Sequence, residues 1–516
     1  MQPYYITPRI GRVRGFIRLF PPIFSPKPCS ASVYGLFTRG MPFIGRRGSK
    51  AMVGDDLERL REEARGLAVE MVRLLASRRA VVSRIAELKR SAGLDVIQPG
   101  IESVLRTAMV EEAKLHGLPA ETVHRLASVI LADSVAAQER RQGPQLTHMD
   151  ILRKAVEMQR SGREVQRLEV GEPDLGAPQD VRTAVAEAVF NGFARYVESR
   201  GIPELRAAIS EHIREKFNVE VGPEKILVTP GGRFAIYLAM KTLLSPGDEL
   251  LVIDPSWPMY KQCADFVGAR PVPIKTRLED GWTPKLDAVE ERISPATKAI
   301  ILNYPNNPTG KALSKKYFKQ LVELARDRNL TLISDEVYAD YTRGEHVTVL
   351  GEDLRYVLIQ SFSKSYGMTG YRAGYIVADE SLVARMASII GLVMTCVPEF
   401  IQHGAMKALT LKETPKQYAD IMMRRMDAAV RELEKIGAKF YRPDGGMYVF
   451  PEIGLDGVDG MKFALDLLES KGVAVAPGSI FGGYDGFIRI SLGAPEESIV
   501  KGIRLLGEYL REKGLA

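Results

Sequence analysis

Between residues 57 and 90 the apolar positions Leu57, Leu60, Ala64, Leu67, Met71, Leu74, Val81, Ile85 and Leu88, with Arg78 among them, recur at alternating steps of three and four. That spacing predicts one long helix with a coiled-coil-like seam. A guanidinium among leucines is costly unless paired, so Arg78 calls for a buried carboxylate from the protein or a ligand. Arg61 and Lys89 flank the same stripe, one near each end. Gly93 and Pro99 mark a turn, and two further helices are expected over 100–116 and 119–141. On the last of these, Ala127, Ile130, Leu131, Ser134, Ala137 and Gln138 share a face, which places two polar groups one turn apart on an apolar surface.

From about residue 149 the period changes. Strand-like runs at 226–229, 250–253, 299–303, 331–334, 356–361 and 373–377 alternate with helical stretches. The expected architecture is an all-α N-terminal domain followed by an α/β domain with a mostly parallel sheet.

Composition adds limits. A chain of 516 residues with 45% hydrophobic side chains has material for two to four domains. The formal net charge of +7 is concentrated at one end, since nine of the 71 basic residues lie in 1–54, which hold no acidic residue. The remainder has 62 basic against 64 acidic side chains, which argues against a nucleic-acid partner. Residues 1–52 read as a basic, disordered leader, as an organelle transit segment interrupted by Pro21, Pro22, Pro26 and Pro28, or as the product of a start site placed ahead of Met41 or Met52. Cys29, Cys263 and Cys396 are far apart and six scattered histidines form no ligand spacing, so neither a metal nor a disulfide framework is expected. No apolar run reaches the roughly 20 residues of a membrane span. A cytoplasmic enzyme is the expectation.

The segment Gln360-Ser-Phe-Ser-Lys-Ser-Tyr-Gly-Met-Thr-Gly-Tyr-Arg372 follows a predicted strand. Ligands bind at such strand ends in open α/β sheets. Lys364 between Ser361 and Ser363, with Arg372 eight residues on, suits a phosphorylated aldehyde: an amine to bond its carbon, hydroxyls and a guanidinium for its phosphate. Val228-Thr-Pro-Gly-Gly-Arg233 ends another strand and opens a helix, so amides at Gly232 and Arg233 face an anion at a helix start. Trp257 in Asp254-Pro-Ser-Trp, Asn307 in Asn303-Tyr-Pro-Asn-Asn-Pro-Thr-Gly310, and Asp335 with Tyr338 in Ser334-Asp-Glu-Val-Tyr also follow strands.

Together these motifs resemble the class I aminotransferases of pyridoxal phosphate fold type I, over residues 149–516. The resemblance implies a large sheet domain over about 201–395 and a small α+β domain over about 149–200 plus 396–516. It implies that Lys364 carries the cofactor, that Asp335 pairs with its ring nitrogen, and that Asn307 and Tyr338 bond its ring oxygen. Trp257 would stack on the ring, while Ser361, Ser363, Arg372 and the amides of Gly231, Gly232 and Arg233 would hold the phosphate. Tyr196, in Tyr-Val-Glu-Ser-Arg-Gly-Ile-Pro-Glu-Leu-Arg206, matches the tyrosine that reaches a partner subunit's phosphate. Arg489, in Phe487-Ile-Arg-Ile-Ser491, matches the clamp for the substrate α-carboxylate, and Gly171 lines the same end.

The helical segment, 53–141, resembles the all-helical (AroQ-class) chorismate mutases over about 56–140, on Leu60-Arg61-Glu62, Arg78-Arg79, Lys89, Glu102, Asp133-Ser134 and Gln138. Arg78, and Arg61 from a partner subunit, would then hold the two chorismate carboxylates. Lys89 and Gln138 would donate to the ether oxygen, Glu102 would take the ring hydroxyl, and Gln98 and Ser134 would complete the pocket. This chemistry is pericyclic, so positioning and electrostatics do the work. Gln98 and Ile101 replace an aspartate and an arginine found in some members. They leave open a helical module that serves only dimerisation or regulation of an aspartate or aromatic aminotransferase.

A linker at 142–148 joins the halves. Their fusion points to aromatic amino acid biosynthesis, with prephenate or an aromatic 2-oxo acid as amino acceptor and glutamate or aspartate as donor. Arg233 matches a cation that reaches the distal carboxylate of acidic substrates; a solvated arginine in a first helical turn is the plain alternative. Both families share sites across a dimer, so a homodimer is expected.

Overall fold

The computed structural model describes residues 48–92, 99–139, 148–454 and 459–515. The leader up to residue 47, Gln98, and residues 142–147 of the expected linker lie outside the described residues. The chain divides into two compact units, Met1–Leu74 and Leu75–Ala516.

Three helices come first: α1 (Gly48–Ser91), α2 (Pro99–Leu115) and α3 (Ala120–Glu139). Proline at the start of α2 suits a position whose amide has no partner within the helix. Many seam positions of α1 face solvent, with Leu67 64%, Leu74 63% and Leu88 70% exposed. Val82 and Ala86 of α1 are buried, as are Val123, Ala127 and Leu131 of α3. The buried positions Val82 and Ala86 thus lie next to the predicted seam, whose members Val81, Ile85 and Leu88 are exposed.

Helix α4 (His148–Arg160) leads into a two-residue strand, β1 (Gln166–Arg167). Helices α5 (Gln179–Phe190) and α6 (Pro203–Phe217) precede the large sheet. Its seven strands are β2 (Ile226–Thr229), β3 (Glu249–Asp254), β4 (Arg270–Lys275), β5 (Thr297–Asn303), β6 (Thr331–Asp335), β7 (Tyr356–Ser361) and β8 (Gly374–Ala378). They lie in the order β2-β8-β7-β6-β5-β3-β4, with β8 antiparallel to both neighbours and β3 to β7 parallel. The six runs read from the sequence match six of these strands to within two residues at each end. The seventh, β4, holds Pro271 and Pro273 and sits at the sheet edge, where the missing amide hydrogens cost nothing.

Apolar side chains on the two faces of the sheet enter separate cores. Val228, Leu251, Ile300, Leu302, Leu332 and Leu358 pack on one side. Leu227, Leu250, Val252, Ile301, Ile333 and Ile359 pack on the other, with helix α7 (Gly232–Leu243). Near-continuous apolar strands are what two covered faces require. Val181 of α5 and Ala405 and Ala408 of the helix Glu399–Thr410 belong to the first of these cores. A further core holds α4, β9 (Tyr448–Val449), β10 (Val473–Ala474) and β12 (Ile488–Ser491) together; β11 (Ala476–Pro477) pairs with β12.

Candidate active sites

The carboxyl ends of β5, β6 and β7 open on one cavity of about 800 Å³. Gly171, Gly232, Arg233, Trp257, Asn307, Asp335, Tyr338, Ser361, Ser363, Lys364, Arg372 and Arg489 all line it. Of the residues expected here, Gly231 does not itself line the cavity but begins its phosphate end. Its φ of +82° favours glycine, and the Arg372 guanidinium lies against it, 2.6 Å from where a Cβ would stand. Tyr196 is 86% exposed and lies outside the cavity lining.

Lys364 sits in the one-turn helix Phe362–Ser365 directly after β7. Ser361 caps that turn by accepting from the Ser363 amide at 3.1 Å, and its hydroxyl donates to Ser363 Oγ at 2.8 Å. The Lys364 amine donates to the Gly171 carbonyl at 2.5 Å. Burial brings its pKa down to about 8; Glu172 opposes the shift, while Arg489 and Arg372 add to it. Asp335 ends β6 and is buried, with its carboxyl raised to about 6 by burial against the hydrogen bonds from Tyr260 and the Val337 amide. The Tyr260 hydroxyl donates to Asp335 Oδ2 at 2.6 Å.

Arg489 on β12 stacks over the rings of Tyr448 at 4.5 Å and Phe481 at 5.0 Å. Its Nη1 donates to Asn307 Oδ1 at 3.0 Å and its Nη2 to the Glu169 carbonyl at 2.5 Å, while its buried Nε lacks a partner. The hydroxyls of Tyr338 and Tyr448 lie 2.8 Å apart. Arg233 Cζ lies 5.2 Å over the Trp257 ring, and Trp257 meets Tyr260 edge to face. The Gly171 loop is fastened by Arg425, which donates to both Asp174 oxygens at 2.7 and 2.9 Å. No motif in the sequence marks Tyr260, Tyr448 or Arg425 as part of the site. Tyr260 stands one helical turn after Trp257 and Tyr448 follows Gly445-Gly446, but single tyrosines and arginines carry no spacing signal.

In the helical region, Arg78 donates to Ser134 Oγ at 2.5 Å, so its protein partner is a hydroxyl and not the carboxylate its place on the seam calls for. Its neighbour Arg79 meets Asp133 at 3.6 Å. Gln138 donates to the Ser134 carbonyl at 3.2 Å and its Oε1 is buried without a partner. Lys89 is half-buried on the same helix as Arg78. Arg61 belongs to the first compact unit, where it is exposed and 3.4 Å from Glu58. Glu102 faces Arg270 of β4, with both carboxylate oxygens 2.7 Å from Nη2.

The aminotransferase class I and II family matches residues 163–505, and the chorismate mutase type II family matches residues 60–139. A probable aspartate/prephenate aminotransferase of Aquifex aeolicus is 35% identical over 377 residues, covering 70% of this chain and 95% of the relative. An aspartate/prephenate aminotransferase of Thermus thermophilus is 33% identical over 363 residues, covering 69% and 94%. Among solved structures, the aspartate aminotransferase of Thermotoga maritima superposes with a TM-score of 0.68 at 32% identity, covering 71% of this chain and 98% of that one.

The chain belongs to the class I and II aminotransferases. It joins a chorismate mutase domain to that aminotransferase, and is a bifunctional, pyridoxal phosphate-dependent enzyme of aromatic amino acid biosynthesis. The residues present fit the cofactor. Asp335 is a buried carboxylate whose hydrogen bonds come from a phenol and an amide, leaving its charge to be met by a protonated ring nitrogen. Lys364 is a buried amine with lowered basicity, and the glycine turn before α7 meets Arg372 and Ser361 at the other end. Among the described residues no helix is long and apolar enough to cross a membrane.

Proposed function

We propose that the two domains act in sequence on one carbon skeleton: the helical domain rearranges chorismate to prephenate, and the α/β domain transaminates prephenate or an aromatic 2-oxo acid, taking the amino group from glutamate or aspartate. The carrying observation is a second guanidinium, Arg233, in the wall of the cavity that Arg489 also lines. Prephenate offers a 2-oxo acid for Arg489 and a further carboxylate for Arg233. Relatives named for both aspartate and prephenate support the same pairing of substrates.

Bound pyridoxal phosphate supplies an electron-accepting ring that makes the substrate Cα–H acidic. Asp335 would keep the ring nitrogen protonated, Asn307 and Tyr338 would bond the ring oxygen, and Trp257 would stack on the ring. Ser361, Ser363, Arg372 and the amides of Gly231, Gly232 and Arg233 would hold the phosphate, and Tyr196 would reach that of a partner subunit. Lys364 would be the attachment point, and its freed amine would take the proton from the substrate Cα and deliver it to the cofactor carbon. A pKa near 8 suits that exchange. Arg489 holds the α-carboxylate beside Gly171.

In the mutase, Arg78 and a partner subunit's arginine at position 61 clamp the two carboxylates, and Lys89 and Gln138 stabilise charge growing on the ether oxygen. Glu102 takes the ring hydroxyl, and Gln98 and Ser134 complete the set of substrate-binding residues. The exposed seam of α1, together with Phe190, Tyr196, Phe266 and Leu392 on the aminotransferase, supports a homodimer. The proposed division is a leader at 1–52, the mutase at 53–141, a linker at 142–148 and the aminotransferase at 149–516. A cytoplasmic setting without nucleic acid completes the reading.

Arg233→Met tests the acceptor. Loss of one charge-assisted bond predicts a roughly tenfold or larger rise in KM for prephenate. KM for phenylpyruvate, which lacks the second carboxylate, stays within about twofold. Equal effects on both acceptors would remove Arg233 from substrate recognition.

A further inference from the structure

Glu102 and Arg106 are one turn apart on α2, and both are committed to the aminotransferase. Arg270 opens β4 and is 5% exposed; besides facing Glu102 it donates from Nη1 to Glu249 Oε1 at 3.0 Å. Glu249 opens β3 and also pairs with Arg106, while its Oε2 accepts from Ser294 Oγ at 2.5 Å and Thr297 Oγ1 at 3.3 Å. Arg106 donates further to Ser128 Oγ at 3.1 Å and to the His124 carbonyl at 3.3 Å, both on α3. The four side chains form one alternating line of charge, Glu102, Arg270, Glu249, Arg106. The Glu249–Arg106 end is held by Ser294, Thr297, Ser128 and the His124 carbonyl. The Glu102 end has Arg270 alone among the hydrogen-bond partners given by the structure, and its side chain is 17% exposed.

Beside this line lies a cavity of about 270 Å³, lined by Glu102, Arg106, Glu249, Arg270 and Ser294. Several waters fit such a volume, so Arg270 can be solvated when Glu102 leaves it. A carboxylate aimed at a guanidinium is not aimed at a substrate hydroxyl. A hydrogen bond to a charged donor is also about twice as strong as one to a neutral donor. Substrate has to draw Glu102 away from Arg270.

We propose that Glu102 exchanges between Arg270 and the chorismate ring hydroxyl, so that docking of α2 on strands β3 and β4 of the aminotransferase holds the mutase below its full rate. This rests on the reading above that Glu102 serves the mutase site. Arg270 is then a positioning residue that acts on the rearrangement from the other domain, through Glu102.

The test uses full-length holoenzyme and measures chorismate loss and transamination in parallel. Arg270→Gln removes the charge, and the expected result is a roughly tenfold rise in mutase kcat/KM, the scale of one charge-assisted hydrogen bond. Arg270→Lys keeps the charge and stays near wild type. Transamination is unchanged in both, because Arg270 is not among the residues lining the cofactor cavity, and this reports that the fold is intact. Adding Glu102→Ala to Arg270→Gln abolishes the gain. If Arg270→Gln leaves the mutase unchanged or slower while Glu102→Ala alone slows it, the exchange is wrong and the substrate role of Glu102 stands. If Glu102→Ala has no effect in either background, the substrate role itself fails, and the exchange with it.

Discussion

Lys364 and Asp335 lie in one site, and burial shifts their pKa values in opposite directions. Burial lowers the lysine from 10.5 to about 8, so the cation is disfavoured in the folded protein. Without cofactor this costs stability in full below pH 8, and the cost fades as pH rises from 8 to 10.5, where the unfolded chain also loses the proton. Lys364→Met therefore raises the melting temperature of cofactor-free protein more at pH 7 than at pH 10.5. The same substitution lowers transamination by roughly 10²-fold or more, the usual share of a positioned base, and leaves the mutase rate unaltered. Burial raises Asp335 from 3.8 to about 6, so its penalty is complete above pH 6 and disappears below 3.8. The ring nitrogen needs the charged carboxylate, so cofactor affinity falls as pH drops through about 6; equilibrium dialysis across pH 5 to 8 reads this directly, and Asp335→Asn removes the dependence. These residues were legible because each follows a strand in a short motif. Tyr260 and Tyr448 were not, since their roles arise only when β6 meets the helix Met259–Phe266 and when β9 and β12 pair.

Helix α1 shows what periodicity reveals and what it leaves open. The spacing of three and four marks one helix, and the structure has a single helix over Gly48–Ser91. The period says nothing of what covers the seam, and Leu67, Leu74 and Leu88 remain exposed. Placing charge at Leu67→Glu and Leu74→Glu is expected to lower the oligomeric state and to reduce mutase activity far more than transamination, as read by light scattering and the two assays. Unchanged mass with full mutase activity would show that another surface holds the assembly. Strand β4 gives the complementary lesson. Its prolines argue against a strand in isolation, and only its place at the edge makes them harmless.

At the scale of the whole molecule, the sequence separates two domains by their periods, 3.5 and then alternating strand and helix, and local motifs mark the cofactor end of the second. It does not show that Glu102 of the first meets Arg270 of the second, because 168 residues separate them and neither belongs to a motif that names the other. The order of reactions is also a property of the whole chain. The most direct test incubates the holoenzyme with chorismate and ¹⁵N-glutamate and follows products by mass spectrometry. The account predicts prephenate first and then ¹⁵N-labelled arogenate, with 2-oxoglutarate formed in equal amount. Prephenate that accumulates unaminated both with ¹⁵N-glutamate and, in a parallel incubation, with ¹⁵N-aspartate would contradict the proposed sequence of the two domains.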